Sequence, residues 1–189
     1  HTLRFNLERK FLLNKMGCSS SSKVMTTDRT PDGLDFSATE IDQYGLPLPI
    51  NFCKKYQLVP DKDDRATILG HGSFSTVFKC CSLENKNDVY ALKHVDMSRI
   101  ARRGGTEAVE RTKAEVRRGV SVLMKLSHPS IICLSNYFES PKTMSVVLEL
   151  AGTELFDHVV ELGKLTEMEA AGILRTVAAG VQFMHEKNL

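Results

Sequence analysis

Over residues 1–60 apolar and polar positions follow no sustained period, and the serine run at 19–22 is followed by Thr, Asp, Gly and Pro punctuation. That texture predicts a flexible tail. From residue 61 the pattern changes. Residues 66–69 (Ala-Thr-Ile-Leu) read as a strand, a glycine-rich bend follows, and residues 76–81 read as its hairpin partner. After a polar stretch at 83–88, residues 89–95 alternate. Val89, Ala91, Lys93 and Val95 fall on one face and Tyr90, Leu92 and His94 on the other, which predicts a third antiparallel strand.

Beyond Gly104 and Gly105, Thr106 is a candidate N-cap for one long helix whose apolar stripe is Val109, Val116, Val120 and Leu123. Residues 131–138 and 144–150 are β-rich runs joined by Ser140-Pro141-Lys142, a second hairpin. The class is therefore α+β, with five antiparallel strands around one main helix. From Glu154 the pattern turns helical. Thr166-x-x-Glu169 forms a capping-box signature ahead of Ala170, Ile173, Leu174, Val177, Val181 and Met184. The organisation predicted is a tail (1–60), a sheet-rich unit (61–150) and a helical segment (151–189).

Composition narrows the function classes. With 42% hydrophobic and 25% charged residues and 6 prolines among 189 residues, the chain is neither wholly disordered nor a fibrous repeat. Residues 1–60 hold 8 Lys/Arg against 6 Asp/Glu and residues 61–189 hold 17 of each, so no broad basic surface for nucleic acid is implied. Cys18, Cys53, Cys80, Cys81 and Cys133 are odd in number and lack zinc-ligand spacing, which fits a reducing compartment. No apolar stretch reaches the roughly 18 residues of a membrane span, and Phe11-Leu12-Leu13 is too short for a secretory core. The expectation is an intracellular, cytoplasmic chain.

The bend is Leu69-Gly70-His71-Gly72-Ser73-Phe74-Ser75-Thr76-Val77. Little side-chain bulk there lets backbone N–H groups close over a triphosphate. A dinucleotide fold would need these glycines to open a helix, whereas a strand-like run follows; a Walker loop would need Gly-Lys-Ser/Thr, which is absent. A glycine hairpin with no ligand stays open on this segment alone. Lys93 follows Val77 by 16 residues, and Ala91 shares its strand face.

Together the loop and Tyr90-Ala91-Leu92-Lys93 resemble the glycine loop (G-x-G-x-x-G-x-V) and third strand (V-A-I-K) of eukaryotic-type serine/threonine protein kinases. The resemblance implies a kinase small lobe followed by the first helices of a helical large lobe, with ATP and Mg2+ as cofactors. It places Val77 and Ala91 against adenine and Lys93 on the α- and β-phosphates. Ser75 stands where the family has its third glycine. Leu148 resembles the gatekeeper, and Glu149-Leu150-Ala151 the hinge whose backbone holds adenine. Gly152-Thr153-Glu154-Leu155-Phe156-Asp157 resembles the G-G-E-L-F-D of the calcium/calmodulin-dependent kinase group and the calcium-dependent kinases of plants and protists. That resemblance gives Glu154 contact with the ribose and with a basic residue upstream of the phosphorylated Ser or Thr of a protein substrate. The hinge is one residue shorter than usual and Thr153 replaces a Gly. The family's His-Arg-Asp and Asp-Phe-Gly motifs, which supply the base and the metal ligands, do not occur in these 189 residues. The fragment alone is expected not to transfer phosphate, and His185 is not the catalytic-loop His.

In such kinases a helix Glu orients the strand Lys. Counting back from His128-Pro129, that position falls on Gly119, and Glu115 is the nearest carboxylate. Two readings stay open. Either the helix carries a four-residue insertion (Arg117-Arg118-Gly119-Val120) and Glu115 orients Lys93, or Gly119 replaces the Glu and the protein is a pseudokinase or nucleotide-binding scaffold. A basic run (Arg99, Arg102, Arg103, Arg111, Lys113, Arg117, Arg118) is a solvated helix face or a dock for an acidic or phosphorylated partner. Finally, Met16-Gly17-Cys18-Ser19 matches an N-myristoylation pattern if Met16 is the true start, with Cys18 a palmitoylation candidate. The tail would then reach a membrane surface; the alternative is an ordinary serine-rich tail.

Overall fold

The computed structural model describes residues 35–189, and the Gly17 and Cys18 acylation motif lies outside the described residues. Among the described residues the chain divides into two compact units: 35–124 with Leu134–Leu150, and Lys125–Cys133 with Ala151–Leu189.

The first unit contains β1 (Asp35–Phe36), β2 (Thr39–Ile41), β3 (Pro47–Pro49), α1 (Ile50–Cys53), β4 (Tyr56–Leu58), β5 (Ile68–His71), β6 (Ser75–Ser82), β7 (Val89–Asp96), α2 (Met97–Leu123), β8 (Leu134–Glu139) and β9 (Thr143–Glu149). The sheet order is β1-β8-β9-β7-β6-β4, with β5 also on β6, and β2 and β3 form a separate hairpin. All five strands expected from the sequence are present as β5 to β9. Two more join them: β4 antiparallel to β6, and β1 parallel to β8.

The flexible tail expected over 1–60 therefore does not hold for 35–60. Elements of two to four residues are too short to show a period, so alternation could not betray them. Their apolar residues are nonetheless core. Leu48, Phe52, Tyr56 and Leu58 cluster with Phe78, Cys80, Leu92, Phe138 and Val147 on one face of the sheet. Phe52 stacks on Tyr56 at 5.5 Å and meets Phe138 edge-on at 5.8 Å, while the Tyr56 hydroxyl donates to Asn136 Oδ1. The opposite face packs Val95, Tyr137, Met144 and Val146 against Met97, Ile100 and Val120 of α2, with Val109 and Val116 half-buried beside them.

Helix α2 begins at Met97 rather than at Thr106, because the Asp96 side chain accepts from Ser98 N at 2.8 Å and caps it. Gly105 (φ 67°, ψ −167°) interrupts the helix, a conformation open mainly to glycine, and the segment from Thr106 resumes it. In the second unit, α3 (Leu155–Leu162) precedes α4 (Glu167–Glu186), and Thr166 and Glu169 form the expected capping box. His128 stacks on Phe183 at 4.9 Å, whereas Leu174 and Val177 of the expected apolar stripe are exposed. Among the described residues no helix is long and apolar enough to cross a membrane.

His94 lies on the Phe52 side of the sheet, 4% exposed; its Nδ1 is 3.4 Å from Ser145 Oγ, and Nε2 has no hydrogen-bond partner among the described residues. Burial pushes its pKa down from 6.5 to about 4, with the Asp96 charge opposing weakly. Between these values the unfolded chain binds the proton and the folded chain does not, so stability falls as pH drops from 6.5 towards 4. The loss attributable to His94 is on the order of 3 kcal/mol, and urea unfolding of His94→Gln should show that part of the slope removed. Phe52→Ala should cost about 3–5 kcal/mol in the same assay at neutral pH; a cost under about 0.5 kcal/mol, as for an exposed residue, would return residues 35–60 to the tail.

Candidate functional site

The glycine segment forms the β5–β6 hairpin, with Gly70 opposite Val77 and His71 opposite Thr76. Its turn is closed by Gly72 N donating to Ser75 O at 2.8 Å. A Cβ on Gly72 would stand 2.7 Å from Ser75 Oγ. A side chain at residue 72 would thus require the Ser75 hydroxyl to turn away. Leu69, His71, Ser73 and Phe74 are exposed. With the Gly72 amide engaged, Ser73 and Phe74 stand at the tip of the hairpin.

Strand register builds the floor. Val77, Lys93 and Val146 stand in one row across β6, β7 and β9, and Lys79, Ala91 and Leu148 in the next. Alternation puts Val77, Ala91, Lys93 and Leu148 on the same face, the one that α2 covers nearer Val95. Lys93 is exposed, Ala91 buried and Leu148 half-buried, so a cation stands beside a small apolar surface. Glu149 pairs with Tyr90 and points to the other face, which leaves its backbone for any adenine contact. Ala151 and Glu154 belong to the second unit, both exposed. Glu154 occupies the N-cap position of α3 without a side-chain cap bond.

Lys93 and Glu115 are not brought together. The ion pairs among the described residues are Lys113–Glu110 and Arg117–Glu139. Glu115 is exposed. It precedes Val116, which packs on the sheet, and so lies about 100° round the helix from it. Gly119 is exposed as well. The expected orientation of Lys93 by Glu115 is absent from this structure because Val109, Val116 and Val120 decide which helix face meets the sheet.

What sequence reasoning missed is Glu139. At 1% exposed, it accepts from Arg117 Nε at 3.0 Å, Arg117 Nη2 at 2.6 Å and the Tyr137 hydroxyl at 2.6 Å. These bonds raise the Arg117 pKa, while burial and the bond to Glu139 raise that of Tyr137. No local pattern marks a strand-end Glu as buried, and Arg117 read as one charge in a basic run.

Residues 64–189 match the protein kinase domain family. The chain belongs to that family. Among its relatives, human calcium/calmodulin-dependent protein kinase type IV is 37% identical over 122 residues, 64% of this chain and 23% of that protein. Calcium/calmodulin-dependent protein kinase type 1 of Caenorhabditis elegans is 33% identical over 132 residues, 69% of this chain and 35% of that kinase. Calcium-dependent protein kinase 27 of Oryza sativa subsp. japonica is 33% identical over 147 residues, 77% of this chain and 23% of that one. The chain thus spans about a quarter to a third of these kinases and corresponds to their N-terminal portion, within the calcium/calmodulin-dependent kinase group. The solved structure of Rad53 1-466 in complex with AMP-PNP has a TM-score of 0.56 at 22% identity, covering 73% of this chain and 32% of that one; it is similar in fold alone.

Because Glu115 stands apart from Lys93, Glu115→Gln should leave the affinity of the 189-residue chain for ATP within about twofold, as for exposed charges generally. A loss of tenfold or so in a nucleotide titration would instead make Glu115 the partner of Lys93.

Proposed function

We propose that this chain is the ATP-binding portion of a serine/threonine protein kinase of the calcium-regulated type, which transfers the γ-phosphate of ATP to protein hydroxyls. The observation that carries the reading is the register row Val77-Lys93-Val146, with an exposed ammonium free of ion pairs among the described residues and a glycine hairpin joined to the same strands. That arrangement fits a nucleotide. The tip amides of Ser73 and Phe74 would bind phosphate oxygens, Lys93 would hold the α- and β-phosphates, and Val77, Ala91 and Leu148 would enclose the adenine. The backbone of Glu149 would hydrogen-bond the base. ATP supplies the transferable phosphoryl group and Mg2+ offsets its charge. Among the described residues no cluster of three or more His, Cys, Asp or Glu suits a metal, and the metal ligands are assigned to the family motifs that these 189 residues do not contain. Gly17 and Cys18, acylated, would hold the protein at a cytoplasmic membrane surface.

A second reading, a pseudokinase or nucleotide-binding scaffold, is favoured by one observation: neither Glu115 nor Gly119 gives Lys93 a carboxylate. Both readings require Lys93 at the phosphates. Titration of the 189-residue chain with a fluorescent ATP analogue and Mg2+ should show Lys93→Met weakening binding about tenfold or more, the scale of one charge-assisted hydrogen bond. Equal affinities would remove the nucleotide site, and phosphate transfer by the full-length protein to a serine peptide with an upstream Arg would exclude the scaffold.

A further inference from the structure

Helix α2 needs something to fix its rotation and height on the sheet, and the Lys93–Glu115 pair does not do so. Both parts of the helix, on either side of the Gly105 break, are instead fastened to one place, the β8–β9 turn. Before the break, Met97 N donates to Lys142 O at 2.8 Å. After it, Arg117 forks onto both carboxylate oxygens of Glu139. A carboxylate at 1% exposure is strongly disfavoured without a cation, so this second contact is not an optional surface pair.

The turn is itself held from the N-terminal side. Phe36 registers with Glu139 in the parallel β1–β8 pair, and Ser37 N donates to Glu139 O at 2.9 Å. Thr39 Oγ1 donates to Ser140 Oγ at 2.8 Å. Ser140 Oγ in turn accepts from Thr143 N at 3.0 Å, and Ser140 N donates to Thr143 O at 2.8 Å. Residues 35–39 thus grip the backbone of the residue whose side chain grips the helix. Tyr137, the third donor to that carboxylate, pairs with Val146, which pairs with Lys93. The tie therefore sits two residues along β8 from the row that carries the phosphate-binding ammonium.

We infer that Arg117 and Glu139 form the ionic tie that sets helix α2 on the sheet in place of a Lys93–Glu115 pair, and that residues 35–39 complete it, making Arg117 a positioning residue for the nucleotide face. The helix position is then independent of Lys93 and dependent on residues 35–39. A displacement of residues 35–39 reaches the helix through Glu139. The nucleotide consequence rests on the proposed ATP site; the mechanical one does not.

The test is hydrogen exchange and ATP-analogue titration on the 189-residue chain carrying Arg117→Met, Glu139→Gln, Arg117→Lys or Lys93→Met. Arg117 is half-exposed, so its variants test the tie even where Glu139→Gln fails to fold. Arg117→Met should speed exchange about tenfold or more in both 106–123 and 35–41, leave 68–82 at wild-type rates, and weaken ATP several-fold. Arg117→Lys, which keeps the charge but not the fork, should recover part of each effect. Lys93→Met should weaken nucleotide binding about tenfold or more with helix exchange unchanged. Wild-type exchange over 106–123 in Arg117→Met, or equal loosening in Lys93→Met, would overturn the tie, and faster exchange in the helix without any in 35–41 would overturn the coupling. If the wild-type chain takes up no ATP the proposed function fails, while the exchange results still decide the tie.

Discussion

Strand β7 serves two surfaces at once, and that alternation is the constraint on which the first unit depends. Leu92 is buried with Phe78, Phe138 and Val147, and His94 is buried beside Phe78 and Ser145, while Ala91, Lys93 and Val95 face the helix and the hairpin floor. A slip of one residue would carry Lys93 into an aromatic core and bring Leu92 and His94 out beneath the glycine hairpin. Pairing with β6 on one side and β9 on the other, over seven residues each, excludes that slip. The ammonium is therefore placed by the burial of its neighbours, not by an ion pair among the described residues.

The same logic explains the helix. Its rotation follows from Val109, Val116 and Val120 on the apolar face and from Arg117 on Glu139 at the flank. Once these are satisfied, Glu115 faces solvent. In a kinase-like lobe an ion pair between helix and sheet does two jobs, orienting the lysine and seating the helix. Here the second is assigned to Arg117 and Glu139, so that the helix is seated although Glu115 does not pair with Lys93.

Much of this could be read along the chain. Strands β5 to β9, the Thr166–Glu169 capping box, the hairpin and the common face of Val77, Ala91 and Lys93 each announce themselves by short-range pattern, because a period of two or a cap three residues away is a local property. The part that residues 35–58 play in the sheet and its core was not legible. Pro47-Leu48-Pro49 and Tyr56-Gln57-Leu58 are too short to show alternation. What makes them core is contact with Phe78, Phe138 and Val147, far away in sequence.

The residue order by itself determined the family, the glycine hairpin and the strand face that bears Lys93, since these rest on spacing and on the inflexible two-residue repeat of an extended backbone. Only the tertiary structure decided that Glu139 is buried, that Arg117 rather than Glu115 is bound to the sheet, and that residues 35–60 join the sheet and its core. Desolvation is the reason. Whether a charge or a short apolar run loses its water depends on what long-range pairing lays over it, and no local spacing encodes that cover.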